Sequence, residues 1–223
     1  MRKLIAGILK FRRTTFPRHS KLFNQLAFAQ APDTLFISCS DSRVVPDLIA
    51  STDPGELFTV RNVGNLIPPA YADGKSTGDV SEASAIEYAV LVLNVKNIVV
   101  CGHSECGAMK AVISGKSAPD TPNLTQWLSH ARGATERLSN EDQSATGLSP
   151  HDRLSQLNVL AQIEHLFTYD IVRDRTTRGM LKLSGMWFDI ASGSMHAYDE
   201  ELKRFAPVDS RLRADPASSR RAP

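Results

Sequence analysis

The stretch NIVVCGHSECG, residues 97–107, indicates both the fold class and the position of a chemical site. Its first half is a short apolar run rich in β-branched residues, which is typical of a strand buried in a parallel sheet. TLFISCS, residues 34–40, has the same pattern. ELFTVRN, residues 56–62, follows the turn sequence DPG and is predicted to form a third strand. These segments predict neighbouring strands that end in small and turn-forming residues.

Helical patterns alternate with the strands. SEASAIEYAVLVLN, residues 81–94, predicts a helix with Ser81 as its N-cap. LSPHDRLSQLNVLAQIEHLF, residues 148–167, predicts a longer helix with Ser149 as N-cap and Pro150 at the first helical position. Alternation of strands and helices favours an α/β fold, in which helices flank a central, mostly parallel sheet.

The end of the chain predicts a different connection. MLKLSGMWFDI and SMHAYDE flank ASG, residues 191–193, which indicates a C-terminal hairpin that closes one edge of the sheet. The polar segment 114–149 is helix-prone, but its pattern places no individual element. We expect a single domain over residues 1–210 and a disordered tail over residues 211–223.

The first residues, MRKLIAGILKFRRTTFP, indicate an amphipathic helix rather than a secretion signal. The apolar run is short, basic residues follow it at once, and small cleavage-site residues are missing. Its apolar residues fall on one helical stripe: Leu4, Ile5, Ile8, Leu9 and Phe11. We therefore expect a helical arm over residues 1–30, and no run approaches the length that spans a bilayer.

Charge and cysteine content indicate which partners and which compartment to expect. The chain has 223 residues and a net charge of +2, a balance that indicates neither a nucleic-acid partner nor an acidic one. Three cysteines are a poor basis for a disulfide framework, so we expect a reducing cytoplasm.

Three soft side chains follow the ends of two predicted strands. Cys39 ends one strand, and His103 and Cys106 follow the end of another. Because ligands bind outside the carboxyl ends of parallel strands, neighbouring strands would bring these groups together. Two thiolates and one imidazole suit zinc, and three protein ligands leave a fourth position open, as in catalytic sites. Taken singly, Cys39 would be a small hydrophobe and His103 a hydrogen-bonded core histidine; Cys101, still within the strand, is interpreted as a buried thiol.

Asp41 and Arg43 stand beside Cys39 in the sequence CSDSR. On an ordinary surface they would form a loop salt bridge of little energetic value. Next to a metal-bound water, the carboxylate can accept a hydrogen bond and orient the water. Arg43 would then keep Asp41 ionised and correctly turned.

These residues carry a resemblance. CSDSR, RNVGN at residues 61–65 and GHSECG together resemble the β-class carbonic anhydrases, and the similarity extends from Leu4 to Val208. The resemblance implies one zinc per chain, held by Cys39, His103 and Cys106, with Asp41 and Arg43 as the catalytic dyad. It implies reversible hydration of carbon dioxide to bicarbonate, by attack of a zinc-bound hydroxide.

Further positions are similar to the plant-like subtype, whose zinc stays open to water. Gln30, Phe58 and Tyr88 match residues of its substrate pocket, and Gly64 belongs to the VGN loop beside that pocket. The family also implies a homodimer or larger homo-oligomer in which the N-terminal helix grips the neighbouring subunit. Packing of the apolar stripe on its own subunit is the alternative.

Three other functions remain open at this point. A hydrolase for carbon disulfide or carbonyl sulfide would use the same site. A bicarbonate sensor would bind zinc and ligand without turnover, and the intact Asp41–Arg43 pair speaks against it. A structural zinc protein would need a fourth protein ligand, for which Asp41 and Cys101 are the candidates.

Overall fold

The computed structural model describes residues 1–115, 120–141 and 147–208. The tail expected to be disordered, residues 211–223, lies outside the described residues, as do two short pieces of the polar segment that had no predicted elements. The described strands form one sheet with the order β2-β1-β3-β4-β5-β6. Their bounds are Thr34–Cys39 (β1), Leu57–Asn62 (β2), Asn97–His103 (β3), Lys182–Asp189 (β4), Ser194–Asp199 (β5) and Arg204–Pro207 (β6).

The sheet is parallel from β2 to β4 and antiparallel beyond it. The three strands predicted from apolar runs are confirmed, and Cys39 lies opposite Asn62 at the carboxyl edge. The predicted hairpin is confirmed as the β4–β5 pair. Strand β6, which the sequence pattern did not indicate, adds a further antiparallel pairing outside β5.

The helices cover the sheet and join its strands. Their bounds are Arg2–Lys10 (α1), Phe16–Leu26 (α2), Pro46–Ala50 (α3), Val80–Glu87 (α4), Gly107–Ser114 (α5), Pro122–Leu128 (α6), Arg132–Ser139 (α7), Pro150–Phe167 (α8) and Asp170–Thr177 (α9). Segments of π-helix, Phe11–Thr15 and Tyr88–Val92, follow α1 and α4, and a 3-10 turn, Ser129–Ala131, precedes α7. The polar segment therefore contributes α6 and α7.

Of the two predicted helix N-caps, the structure confirms Ser149 and not Ser81. Ser149 caps α8, its hydroxyl accepting from the Asp152 backbone N–H at 3.3 Å. The prediction of Ser81 as the cap of α4 is wrong, because Asp79 takes that position and accepts from the Ser81 backbone N–H at 2.7 Å. An extended Asp two residues earlier reaches the free amides of the first turn, so the helix begins before Ser81.

Helix α8 packs directly across β3 and β4 because two strand glycines leave room for it. A Cβ added at Gly102 would lie 2.9 Å from Val159 Cγ2, and one at Gly185 would lie 3.0 Å from Val159 Cγ1. Half of α8 is buried, including polar residues on the side nearest the carboxyl edge of the sheet. The fold thus packs a long helix with several buried polar residues against the sheet, next to the strand ends that carry Cys39 and His103.

The N-terminal arm makes a different kind of contact. Every residue from Arg2 to Leu26 is exposed or half-buried. On the apolar stripe, Leu4 is 61% and Ile8 58% exposed, so the stripe is not packed against its own subunit. Phenylalanine rings of the arm contact one another, with centroids 5.6 to 6.3 Å apart. In the described parts of the chain, no helix combines the length and apolarity that crossing a membrane requires.

Candidate metal centre and active site

Three ligand-type side chains meet at the carboxyl edge of the sheet. Cys39 is the last residue of β1, His103 is the last residue of β3, and Cys106 precedes the first turn of α5. Their donor atoms all lie within 4.8 Å of one another, and all three residues are buried. The parallel register of β1 and β3 causes this convergence, because it ends both strands at the same edge.

The His103 ring is prepared for a cation. Its Nδ1 donates to the Ser104 carbonyl oxygen at 2.8 Å, so in the neutral ring Nε2 is the acceptor nitrogen. This Nε2 is buried and, among the described residues, has no hydrogen-bond partner. A buried, unpaired acceptor is costly, and a metal ion is the partner that would satisfy it.

The neighbouring Cys39 and Cys106 thiols shift each other's pKa in opposite directions. A hydrogen bond from the Cys106 thiol, together with one from the Gly64 amide, lowers the pKa of Cys39. The pKa of Cys106 is raised, because its proton is held by the Cys39 thiolate and because the site is buried. A divalent cation between them would stabilise both as thiolates. Two sulfurs and one imidazole nitrogen fit zinc best.

Gly64 approaches the centre through its backbone. Its N–H donates to Cys39 Sγ at 3.4 Å. The residue has φ +85°, and an added Cβ would lie 3.0 Å from the Ala108 Cβ. Only glycine adopts this conformation without strain and clears the start of α5.

Asp41 and Arg43 form a two-pronged ion pair beside the centre. Arg43 Nε donates to Asp41 Oδ1 at 2.9 Å, and Arg43 Nη2 donates to Asp41 Oδ2 at 2.8 Å. These bonds hold the pKa of Asp41 well below its usual range, so the carboxylate is ionised. Its Oδ2 lies 4.0 Å from His103 Nε2. An anionic acceptor is thus fixed at the mouth of the metal centre.

Comparison with known proteins agrees with this geometry. The carbonic anhydrase family model matches residues 34–195. A carbonic anhydrase of Pseudomonas aeruginosa is 44% identical over 208 residues, covering 93% of this chain and 92% of its own. The solved structure of the β-carbonic anhydrase CcaA has a TM-score of 0.87 and 38% identity, covering 95% of this chain and 93% of that one.

The chain belongs to the β-class carbonic anhydrases. A third likeness is to tetrameric β-carbonic anhydrases of Sordaria macrospora, with a TM-score of 0.74, 29% identity, and coverage of 88% of this chain and 95% of that one. The resemblance carried by CSDSR, RNVGN and GHSECG is confirmed, and with it the carbonic anhydrase activity. These comparisons do not favour a carbon disulfide hydrolase or a bicarbonate sensor on the same fold.

The residues predicted for the substrate pocket of this β-carbonic anhydrase lie apart from its metal centre. Phe58 and Tyr88 contact each other, with ring centroids 5.8 Å apart. Phe58, however, precedes Asn62 by four residues, about 13 Å along the strand, and Asn62 is the residue opposite Cys39. Gln30 is exposed and precedes the start of β1 by four residues, whereas Cys39 is the last residue of that strand. One subunit therefore does not bring these three to its own metal centre.

Neither proposed fourth ligand is placed to close the site. Asp41 does not belong to the group of donor atoms within 4.8 Å of one another, and Arg43 holds both of its oxygens. The Cys101 thiol packs with Phe36 and Val99 in a separate cluster. Full burial raises the pKa of Cys101 to about 12, which keeps it a neutral thiol. Among the described residues, the ligand-type side chains that meet at the centre are therefore Cys39, His103 and Cys106.

Two residues that hold the site together were not predicted from the sequence. Arg61 donates to the Cys39 and Asp41 carbonyl oxygens at 3.2 and 2.8 Å. Trp127 Nε1 donates to the Val63 carbonyl oxygen at 2.8 Å. Arg61 stands within the RNVGN motif, which gave it no individual role, whereas Trp127 lies in the polar segment for which no element was predicted.

A cavity of about 880 Å³ adjoins the loops of the metal centre. Ser40 and Val63 line it on the side of the centre, and Glu82, Trp127 and His130 line it on the side of α4 and α6. Burial raises the pKa of Glu82 and lowers that of His130. Small molecules therefore have space beside the strand ends without a rearrangement of the core.

Proposed function

We propose that this β-carbonic anhydrase hydrates carbon dioxide reversibly at a zinc ion held by Cys39, His103 and Cys106. The observation that carries the proposal is the buried cluster of two thiols and an unpaired imidazole nitrogen next to an ionised Asp41. Bound zinc would act as a Lewis acid and lower the pKa of its water from about 15.7 to about 7, the value general to carbonic anhydrases. It would thereby provide a nucleophile near neutral pH.

Asp41 and Arg43 would act as the dyad that orients this nucleophile. An ionised carboxylate only accepts hydrogen bonds, so Asp41 would accept one from the attacking oxygen and direct a lone pair of that oxygen towards the substrate carbon. Arg43 holds the carboxylate through two bonds and also donates to the Glu105 carbonyl oxygen at 3.1 Å, which ties the dyad to the loop between His103 and Cys106. Because Asp41 is held in this way, we propose an open fourth position, as in the plant-like subtype.

We further propose that Gln30, Phe58 and Tyr88 serve the substrate pocket of a neighbouring subunit. They lie too far from the metal centre of their own chain, and Tyr88 is 42% exposed. The exposed arm and the tetrameric relatives of Sordaria macrospora support a homodimer or larger homo-oligomer. Gly64 would contribute from the same subunit, through the loop beside Cys39.

The cytoplasm is the proposed location. All three cysteines are free and buried, which suits a reducing compartment.

Stopped-flow hydration of carbon dioxide, followed with a pH indicator on protein of measured zinc content, tests the function. We expect rapid acidification that depends on the protein, disappears after metal removal and returns when zinc is added. Carbonyl sulfide and carbon disulfide are assayed in parallel. Absence of acceleration with one zinc per chain would refute the proposed function.

A further inference from the structure

We propose that a polar stripe on α8 sets the spacing between the two loops of the metal centre, and that Ser155 and Asn158 are positioning residues for the metal. The α8 stripe consists of Ser155, Asn158, Gln162 and His165. Steps of three, four and three residues put these side chains on one face of the helix. The inference rests on the zinc site proposed above.

Ser155 holds the end of β3. Its hydroxyl donates to the His103 carbonyl oxygen at 2.9 Å and accepts from the His103 N–H at 3.3 Å. It also accepts from Trp187 Nε1 at 3.2 Å. A hydroxyl has one donor and two acceptor positions, so all of its capacity is used. The backbone from which the His103 imidazole projects is thereby fixed on both sides.

Asn158 holds the loop that contacts the other ligand. Its Nδ2 donates to the Gly64 carbonyl oxygen at 3.0 Å, and the Gly64 N–H donates to Cys39 Sγ. Its Oδ1 accepts from Gln162 Nε2 at 2.9 Å, which fixes the amide orientation. Asn158 is fully buried, so loss of these bonds would leave buried polar groups without their partners. A movement of Gly64 would remove an N–H from the Cys39 sulfur.

The rest of the stripe anchors the same loop further along. Gln162 Oε1 accepts from the Ile67 N–H at 2.7 Å. His165 Nδ1 lies 2.7 Å from the Ile67 carbonyl oxygen, to which it donates. The loop that starts at Asn62 is therefore bonded to α8 at Gly64 and again at Ile67.

The arrangement links two loops whose preceding strands are not adjacent in the sheet. The His103 loop follows β3 and the Gly64 loop follows β2, with β1 between them. Ser155 and Asn158 stand one helical turn apart, about 4.5 Å along the axis. Apolar contacts alone would let the helix slide, whereas directional bonds from two consecutive turns fix both loops to one rigid element.

Zinc affinity of the purified full-length protein tests the role of the stripe. Asn158→Ala and Ser155→Ala are compared with Gln156→Ala, a buried polar residue of the same helix that lies off the stripe and accepts from Arg153 at 3.0 Å. Affinity is measured by competition with a chromophoric chelator. We expect both stripe variants to bind zinc about 10-fold more weakly, as for other groups that orient metal ligands, and the control to bind like wild type.

A spectroscopic measurement separates positioning from folding. Cobalt(II) replaces zinc, and the sulfur-to-metal and d–d absorption bands report ligand geometry at a temperature where thermal scans show every variant folded. We expect shifted bands in Asn158→Ala and unchanged bands in Gln156→Ala; if Asn158→Ala does not fold, Ser155→Ala provides the same comparison. Wild-type affinity and bands in the stripe variants would overturn the inference alone. A wild-type protein that binds no zinc would overturn the proposed function as well.

Discussion

At the scale of single residues, chemistry depends on surroundings more than on residue type. Cys101 and Cys106 are five positions apart and equally buried, yet only Cys106 has its thiol beside Cys39 and His103. Asp41 likewise differs from an exposed acid such as Asp73, because Arg43 engages both of its oxygens and its Oδ2 lies 4.0 Å from His103 Nε2. These contrasts supply matched pairs of variants.

Asp41→Asn is expected to retain zinc and to lose activity by about 100-fold or more, because the amide can donate a hydrogen bond where the carboxylate only accepts. Zinc content and stopped-flow rates on the same sample measure both effects. Asp73→Asn, at an exposed acid paired with Lys75, is the control and should behave like wild type. A rate near wild type in Asp41→Asn would contradict the dyad role.

Cys106→Ala should abolish stoichiometric zinc binding, since it removes one of three ligands. Cys101→Ala should keep zinc and activity, and lower the free energy of unfolding by about 1 kcal/mol through loss of a small buried group. Metal analysis and denaturant unfolding check the pair. Zinc loss in Cys101→Ala would revive the structural four-ligand site.

At the scale of elements, the close packing of α8 against β3 decides how the metal centre is supported. The absence of a side chain at Gly102 lets Val159 and Ser155 approach the strand backbone. This approach brings the Ser155 hydroxyl within hydrogen-bond distance of His103. The hydrogen bonds that hold the His103 backbone therefore depend on the absence of a side chain at Gly102.

Gly102→Ala is expected to lower the free energy of unfolding by about 1–3 kcal/mol, because its Cβ would lie 3.1 Å from the Ser155 backbone carbonyl oxygen and 2.9 Å from Val159 Cγ2. Gly133→Ala, in α7, is the control. Its added Cβ would meet Ala161 Cβ at an ordinary 3.8 Å, and better helix propensity should stabilise the protein by up to about 1 kcal/mol. Equal stability of the two variants in urea unfolding would argue against tight packing of α8.

At the scale of the whole molecule, the subunit presents apolar surface that it does not cover. The arm stripe is exposed, and so is an apolar side of α4 and its π-helical extension, where Val80 is 66% and Val92 63% exposed. Exposed apolar surface of this extent marks interaction sites. A second copy would cover it, and we propose that the same assembly brings Gln30, Phe58 and Tyr88 to a neighbouring metal centre.

Deletion of residues 1–20 is expected to give species of lower mass in light scattering, with reduced hydration activity. Ile8→Glu in the full-length chain should act in the same direction, because it places a charge on the stripe. Lys10→Glu, roughly opposite Ile8 on α1, should keep the wild-type mass. An unchanged mass after deletion would exclude the arm as an assembly element.

The sequence alone was sufficient wherever the information is local. Apolar β-branched runs predicted β1 and β3, the turn sequence DPG predicted the start of β2, and the serine-proline pair predicted the start of α8. Because parallel strands end at one edge, the positions of Cys39, His103 and Cys106 in their strands also predicted their convergence. Strand β6 was not predicted, because a strand of four residues is too short to show a periodic pattern. The cap at Asp79 was not predicted, because Ser81 is an equally suitable N-cap residue in the sequence.

Tertiary structure decided the contacts between distant groups other than the three residues at the strand ends. The separation of Phe58 and Tyr88 from the metal centre follows from strand register, which one segment does not encode. Polar residues within α8 became a support for the centre only because glycines in β3 and β4 admit the helix to the backbone of the sheet. Local patterns record periodicity and chain ends, whereas hydrogen bonds between remote backbone groups exist only after the elements that carry them have packed together.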